Sequence, residues 1–260
     1  MTEAEWQRGT DPGQMLDALY ADNTSGVITW LQRLRGRPAG PVTPSSERKL
    51  RLLACAYCRR IADLMDDERS LRAVETAERH ADGRATDAEL VAARVAARGA
   101  YEARARLAVP ASLSVLYRPL ADEVRAALLA ALAAVEVTRF PREALTAARR
   151  AAMIAAVESD NPRWAVEAAG DAVHAALIRE IFGNPFREVI LDPAWLRWND
   201  GTVPRIARGI YDDYRFADLP ILHDALLDAG CDGEDILAHC RTPEGHVRGC
   251  WVIDLLLGKS

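Results

Sequence analysis

The residues whose types and spacing could do chemistry in this chain are its cysteines and histidines, five of each. Cys55 and Cys58 form a C-x-x-C pair, and Cys231, Cys240 and Cys250 lie close in sequence to His239 and His246. Residues three or four apart on a helix share a face, so Cys55/Cys58 and His246/Cys250 each offer a two-ligand half-site. Thiolate and imidazole donors converging as a tetrahedron suit zinc. The candidate set is Cys55, Cys58, Cys240, His246 and Cys250. Against it stands the ordinary behaviour of reduced cysteine, which packs as a small hydrophobe. The first pair also sits inside an apolar-periodic helix, not on the knuckle turn usual for structural zinc. The reading therefore favours no cofactor and keeps zinc as its minority alternative. Disulfides are not expected in a cytosolic chain. Arg59 and Arg60 would lower the pKa of a reactive thiol at Cys58, but a thioredoxin-type motif needs a preceding strand, and none is evident.

Two histidines have acidic partners at helical spacing, Asp235 with His239 and Asp171 with His174. Neighbouring helix positions point about 100° apart, so His239 and Cys240 do not face each other. Both acid–histidine pairs read as surface or boundary pairs unless the tertiary structure adds a third group. Phosphate-loop, dinucleotide-binding, nucleophile-elbow and His-Glu-x-x-His patterns are absent from the sequence. No catalytic residue is assigned.

The stretch from Asp192 to Gly201 carries Trp195, Arg197 and Trp198 between two turn-forming sequences. The tryptophans share one side of a helical turn and suit either an anchor for a partner protein or a staple between helices. The staple is the expectation. Arg94 and Arg98 share a helix face within the Ala/Arg-rich stretch from Ala92 to Arg106 and are the candidate nucleic-acid contacts. Glu89 and Glu102 lie close enough to neutralise them.

The elements that must position these groups are helical. Half of the 260 residues are apolar and 27% are charged, which excludes global disorder. Arginine and alanine, both strong helix formers, dominate the composition. The formal charge is −5: residues 1–150 carry 23 basic against 20 acidic groups, and residues 151–260 carry 10 against 18. This balance gives no general pull toward nucleic acid or anionic membrane. The longest apolar run, Ala126 to Val135, is too short to span a bilayer, and the opening MTEAEWQRGT lacks a secretory signal. A cytoplasmic protein without a membrane partner is expected.

Thr2/Glu5 and Thr86/Glu89 read as capping boxes, and Thr10-Asp11-Pro12, Asp66-Asp67 and Asp192-Pro193 as helix starts. Gly183 and Gly230 read as helix ends. Residues 36–46, with three prolines and two glycines, read as a linker. Further helices are predicted at about 120–138, from Pro141, at 202–213, 217–229, 233–241 and 246–257. Val189-Ile190-Leu191 is the best strand candidate. The expected fold is all-α, with at most one very short strand pair: an irregular bundle with a compact C-terminal helical cap. Its divisions are N-terminal helices and linker (1–46), an Ala/Arg-rich body (47–183) and the C-terminal subdomain (184–260).

Four segments carry a resemblance. Arg48 to Arg60 (RKLRLLACAYCRR), Leu177 to Phe186 (LIREIFGNPF), Trp195 to Gly201, and Ile236 to Trp251 with its AHCR and HVRGCW ends resemble signature segments of an uncharacterised, paralogue-rich bacterial family. The resemblance implies no established activity and carries over no catalytic residues. The expected function is a non-enzymatic helical interaction or regulatory module whose partner is another protein. The alternatives are a small metal- or thiol-dependent enzyme using the C-terminal Cys/His cluster, and a nucleic-acid-associated accessory protein.

Overall fold

The structure is a computed structural model that describes residues 1–20, 47–107 and 163–259. Every regular element among them is helical. The chain divides into two compact units, Met1–Ser46 with Ala175–Ser260, and Glu47–His174. The N-terminal helices thus group with the C-terminal part of the chain. The linker at 36–46, the helices expected at about 120–138 and from Pro141, and the side chains of Arg104 and Arg106 lie outside the described residues. No described helix is long and apolar enough to cross a membrane.

In the unit Glu47–His174, helix α3 (Glu47–Arg60) packs on α4 (Glu68–Ala81), which packs on α5 (Asp87–Leu107). Eight consecutive residues of α3, Arg51 to Cys58, are buried, so this helix is enclosed on every side. Ala73 of α4 meets Ala97 of α5, and these small side chains let the two backbones approach closely. Asp67 caps α4 by accepting from the Arg69 amide, and the Thr86/Glu89 box opens α5 with reciprocal bonds of 3.2 and 2.7 Å. Glu78, buried in α4, is held bidentately by Arg59 at 3.0 and 2.8 Å. Such planar two-point pairing lets a carboxylate lie in a core. Tyr57 stacks on His174 with ring centroids 4.1 Å apart.

The other unit begins with α1 (Glu3–Arg8) and α2 (Pro12–Tyr20). The Thr2/Glu5 box caps α1, and Asp11 accepts from the Gly13 and Gln14 amides at the start of α2. Helix α6 (Arg163–Phe182) ends at Gly183, whose φ of +67° reverses the chain. Trp6 is fully buried, and its indole N–H donates to the Gly183 carbonyl at 3.1 Å. The Arg179 guanidinium donates to the carbonyls of Trp6 and Gly9. Helix α1 is therefore docked on the end of α6 by an aromatic plug and three backbone carbonyls.

Helices α7 (Pro193–Asp212), α8 (Leu219–Asp228), α9 (Glu234–Cys240) and α10 (Trp251–Leu257) surround one apolar core. Helix α7 is two helices joined by a kink. Trp198 is extended, and Asn199, Asp200 and Gly201 all take left-handed backbone angles. Asn, Asp and Gly are the residue types that tolerate this conformation, so the sequence WNDG encodes the bend. The strand candidate is not a strand. Val189 and Leu191 pack on the core while Ile190 faces outward, a strand-like alternation with no strand among the described residues to pair with. The last helix begins at Trp251 instead of 246, because positive-φ glycines at 245 and 249 keep that stretch in turns.

Trp195 is 6% exposed in this core, and Trp198 packs against it half-buried. Trp195→Ala is expected to lower unfolding free energy by about 3–5 kcal/mol, the usual cost of truncating a buried tryptophan. Trp198→Ala should cost less. Denaturant titration measures both, and an unchanged midpoint for Trp195→Ala would remove the tryptophan from the core.

Candidate metal centre

Four side chains from separate places in the chain converge inside the unit that holds the C-terminal helices. Glu180 comes from the last turn of α6 and His239 from the last turn of α9. His246 comes from the loop after α9, and Cys250 from the cap of α10. Their donor atoms all lie within 4.8 Å of one another. Glu180 shares its helix face with Leu177, in a last turn of α6 where Ile178 and Ile181 are buried as well. The loop reaches the site because Gly245 and Gly249 supply turns with φ of +84° and +94°. Arg248 pins the loop, with its guanidinium over the rings of Tyr211 and Tyr214 at 4.6 and 4.8 Å.

His239 Nε2 lies 3.3 Å from Glu180 Oε2 and 3.2 Å from Cys250 Sγ. His246 Nδ1 lies 3.1 and 3.2 Å from the two oxygens of Glu180. A tetrahedron with metal–ligand bonds of about 2.0–2.3 Å has edges of roughly 3.3–3.7 Å. These contacts are close to such edges, and small rotations bring in the longer separations.

The ring nitrogens facing outward differ. His246 Nδ1 faces the Glu180 carboxylate and bonds it only as N–H, a proton that an ion at the centre would replace, while Nε2–H donates to the Thr242 carbonyl at 2.9 Å. That is the outer-shell arrangement usual for a ligating histidine. His239 is set the other way. The Trp251 indole N–H donates to His239 Nδ1 at 3.1 Å, so the neutral ring carries its proton on Nε2, toward Glu180 and Cys250.

Burial pulls the His239 pKa down to about 4, against the opposing charge of Glu180. Burial also disfavours charge on His246, but the hydrogen bond and charge of Glu180 outweigh it and raise that pKa. Burial pushes the Cys250 thiol well up, and Glu180 adds to the rise. As a nucleophile, Cys250 is poorly placed. It is fully buried, and both Cys250 and Glu180 face the same nitrogen of His239, whereas a catalytic triad puts the acid on the opposite nitrogen.

Among the sequence candidates, His246 and Cys250 meet here. Cys240 does not join them: it is buried in the apolar core, and burial followed by the charge of Glu180 raises its thiol to about 12. Cys55 and Cys58 lie in the core of the other compact unit. Burial raises Cys58 to about 12, then Glu78 adds to the rise, and both outweigh Arg59, which is committed to Glu78. Arg98 lies 3.6 Å from Glu102, the neutralising surface pair, and Arg94 is half-buried. Arg197 is exposed beside its two packed tryptophans.

Glu180 and His239 are the donors that sequence reading misses. A glutamate three residues after Leu177 and next to Ile181, inside an apolar stripe, is a readable signal for the first. For the second, helical spacing favours Asp235, yet Asp235 faces Arg187 at 3.4 Å and His239 turns inward.

Cys55 and Cys58 are expected to resist an aromatic disulfide reagent at mildly alkaline pH until their unit unfolds. Labelling followed by mass spectrometry should show both modified in step with denaturation. Rapid labelling of the native chain would reopen the redox reading of the C-x-x-C pair.

No family model matches the chain, and no curated protein or solved structure matches it.

Proposed function

We propose that the chain is a non-enzymatic helical interaction module whose C-terminal part is locked by a structural zinc ion. Glu180, His239, His246 and Cys250 would be the ligands. The observation that carries this reading is the convergence of four donors within 4.8 Å, Glu180 and Cys250 buried and the two histidines partly so. One thiolate, two imidazoles and one carboxylate form a borderline set suited to zinc. Two anionic ligands balance the charge of a divalent ion, so the loaded centre is neutral where burial makes net charge costly. With four protein ligands the coordination is closed, as in structural sites, whereas a catalytic zinc keeps a position for water. This supports the interaction module over a metal- or thiol-dependent enzyme. A bound ion would clamp the end of α6, α9, the 241–250 loop and α10 together, adding binding energy to the stability of that unit.

The protein is expected to bind one zinc per chain and to melt at lower temperature after chelation. Substituting cobalt should produce a thiolate-to-metal charge-transfer band that disappears in Cys250→Ser. Cys250→Ser and His246→Ala should each weaken zinc binding by more than about 100-fold, beyond the 10–100-fold typical of losing an outer-shell partner. Cys58→Ser should bind normally. Full zinc stoichiometry in a Glu180→Ala/Cys250→Ser double variant, or no zinc uptake by the wild type, would overturn the assignment.

A further inference from the structure

Trp251 stands between the candidate centre and the docking point of the N-terminal helix. On one side its indole N–H donates to His239 Nδ1. On the other side it lies against Gly183 so closely that a Cβ there would be 3.2 Å from both Cγ and Cδ2 of the indole. The carbonyl of that same glycine accepts the indole N–H of Trp6. Arg179, next to the ligand Glu180, holds the carbonyls of Trp6 and Gly9.

This arrangement links zinc to the N-terminus, given the zinc reading above. Ligation through His239 Nε2 requires the lone pair now occupied by a proton. The neutral ring then carries its proton on Nδ1, and two N–H groups face each other where a hydrogen bond had been. The indole must turn or move away from His239. Gly183 packs against the same indole, so a ring that moves bears on the residue that anchors Trp6. We infer that zinc occupancy weakens the docking of helix α1, making Met1–Tyr20 a latch that closes on the metal-free centre and loosens when the ion enters. His239 is thereby the gated ligand, while Glu180, His246 and Cys250 accept the ion without breaking this contact.

Hydrogen exchange of the full chain, read by mass spectrometry with and without zinc, tests the latch, with zinc content measured in the same samples. Zinc is expected to speed exchange of the α1 and α2 amides by about 5- to 150-fold, the usual range of coupling between two sites. In Trp251→Phe, which keeps an aromatic wedge but has no N–H, zinc should still bind and the acceleration should vanish. Coupling is reciprocal, so Trp6→Phe, which gives up the bond to Gly183, should bind zinc more tightly than wild type. If wild-type protein takes up zinc and exchange in residues 1–20 does not change, the latch is overturned and the centre stands. An equal response in Trp251→Phe also overturns it. Absence of zinc uptake overturns both together.

Discussion

A carboxylate buried at the end of an apolar helix is the constraint around which this unit is arranged. Glu180 cannot sit between Leu177 and Ile181 without polar partners, since an unpaired buried charge costs several kcal/mol or more. Its partners come from far along the chain: both imidazoles and, at 3.4 Å, the amide of Val247. Satisfying one side chain fixes the inward turn of α9, the path of the following loop and the start of the last helix. The turn glycines and the sandwiched Arg248 follow from the same need, because a loop that must deliver an imidazole and an amide to one carboxylate has little freedom of path.

The fold class was legible because helix signals are local. Capping pairs such as Thr86/Glu89, starts such as Asp192-Pro193 and the stop at Gly183 act within one turn of chain, and each appears where its chemistry puts it. Val189 to Leu191 misled because alternation reports only which side chains are buried. A ladder needs a second strand, and the described residues contain none. The candidate centre was half legible for the same reason. His246 and Cys250 announce themselves by spacing. Glu180 lies 59 residues before His239, and only the tertiary fold brings them together. Helical spacing also paired His239 with Asp235, a local partner that lost to a distant buried carboxylate.

The two compact units solve burial differently. Residues 47–107 bring small side chains together closely, as at Ala73 and Ala97, and admit buried charge as ion pairs, the bidentate Arg59–Glu78 and Arg48–Asp82 among them. The unit containing the C-terminal helices uses large aromatic and branched residues, and its short helices leave many chain reversals to satisfy. Short helices bury little area each, so polar ties such as Arg179 to the α1 carbonyls and Asp192 to its helix start matter more there. The Cys55-Cys58 pair is buried in the packing of α3, and its neighbouring Arg59 pairs with the buried Glu78.

The clamp of Arg248 between Tyr211 and Tyr214 has a consequence in time. The loop from Arg241 to Cys250 forms one wall of the four-donor cluster, and its middle is held shut by a buried guanidinium between two rings. An ion leaving the centre must wait for that wall to open. On the zinc reading, local opening of the loop would limit how fast the ion departs. Exchange of an ion held there would therefore be paced by the motion of this loop as well as by its ligand bonds.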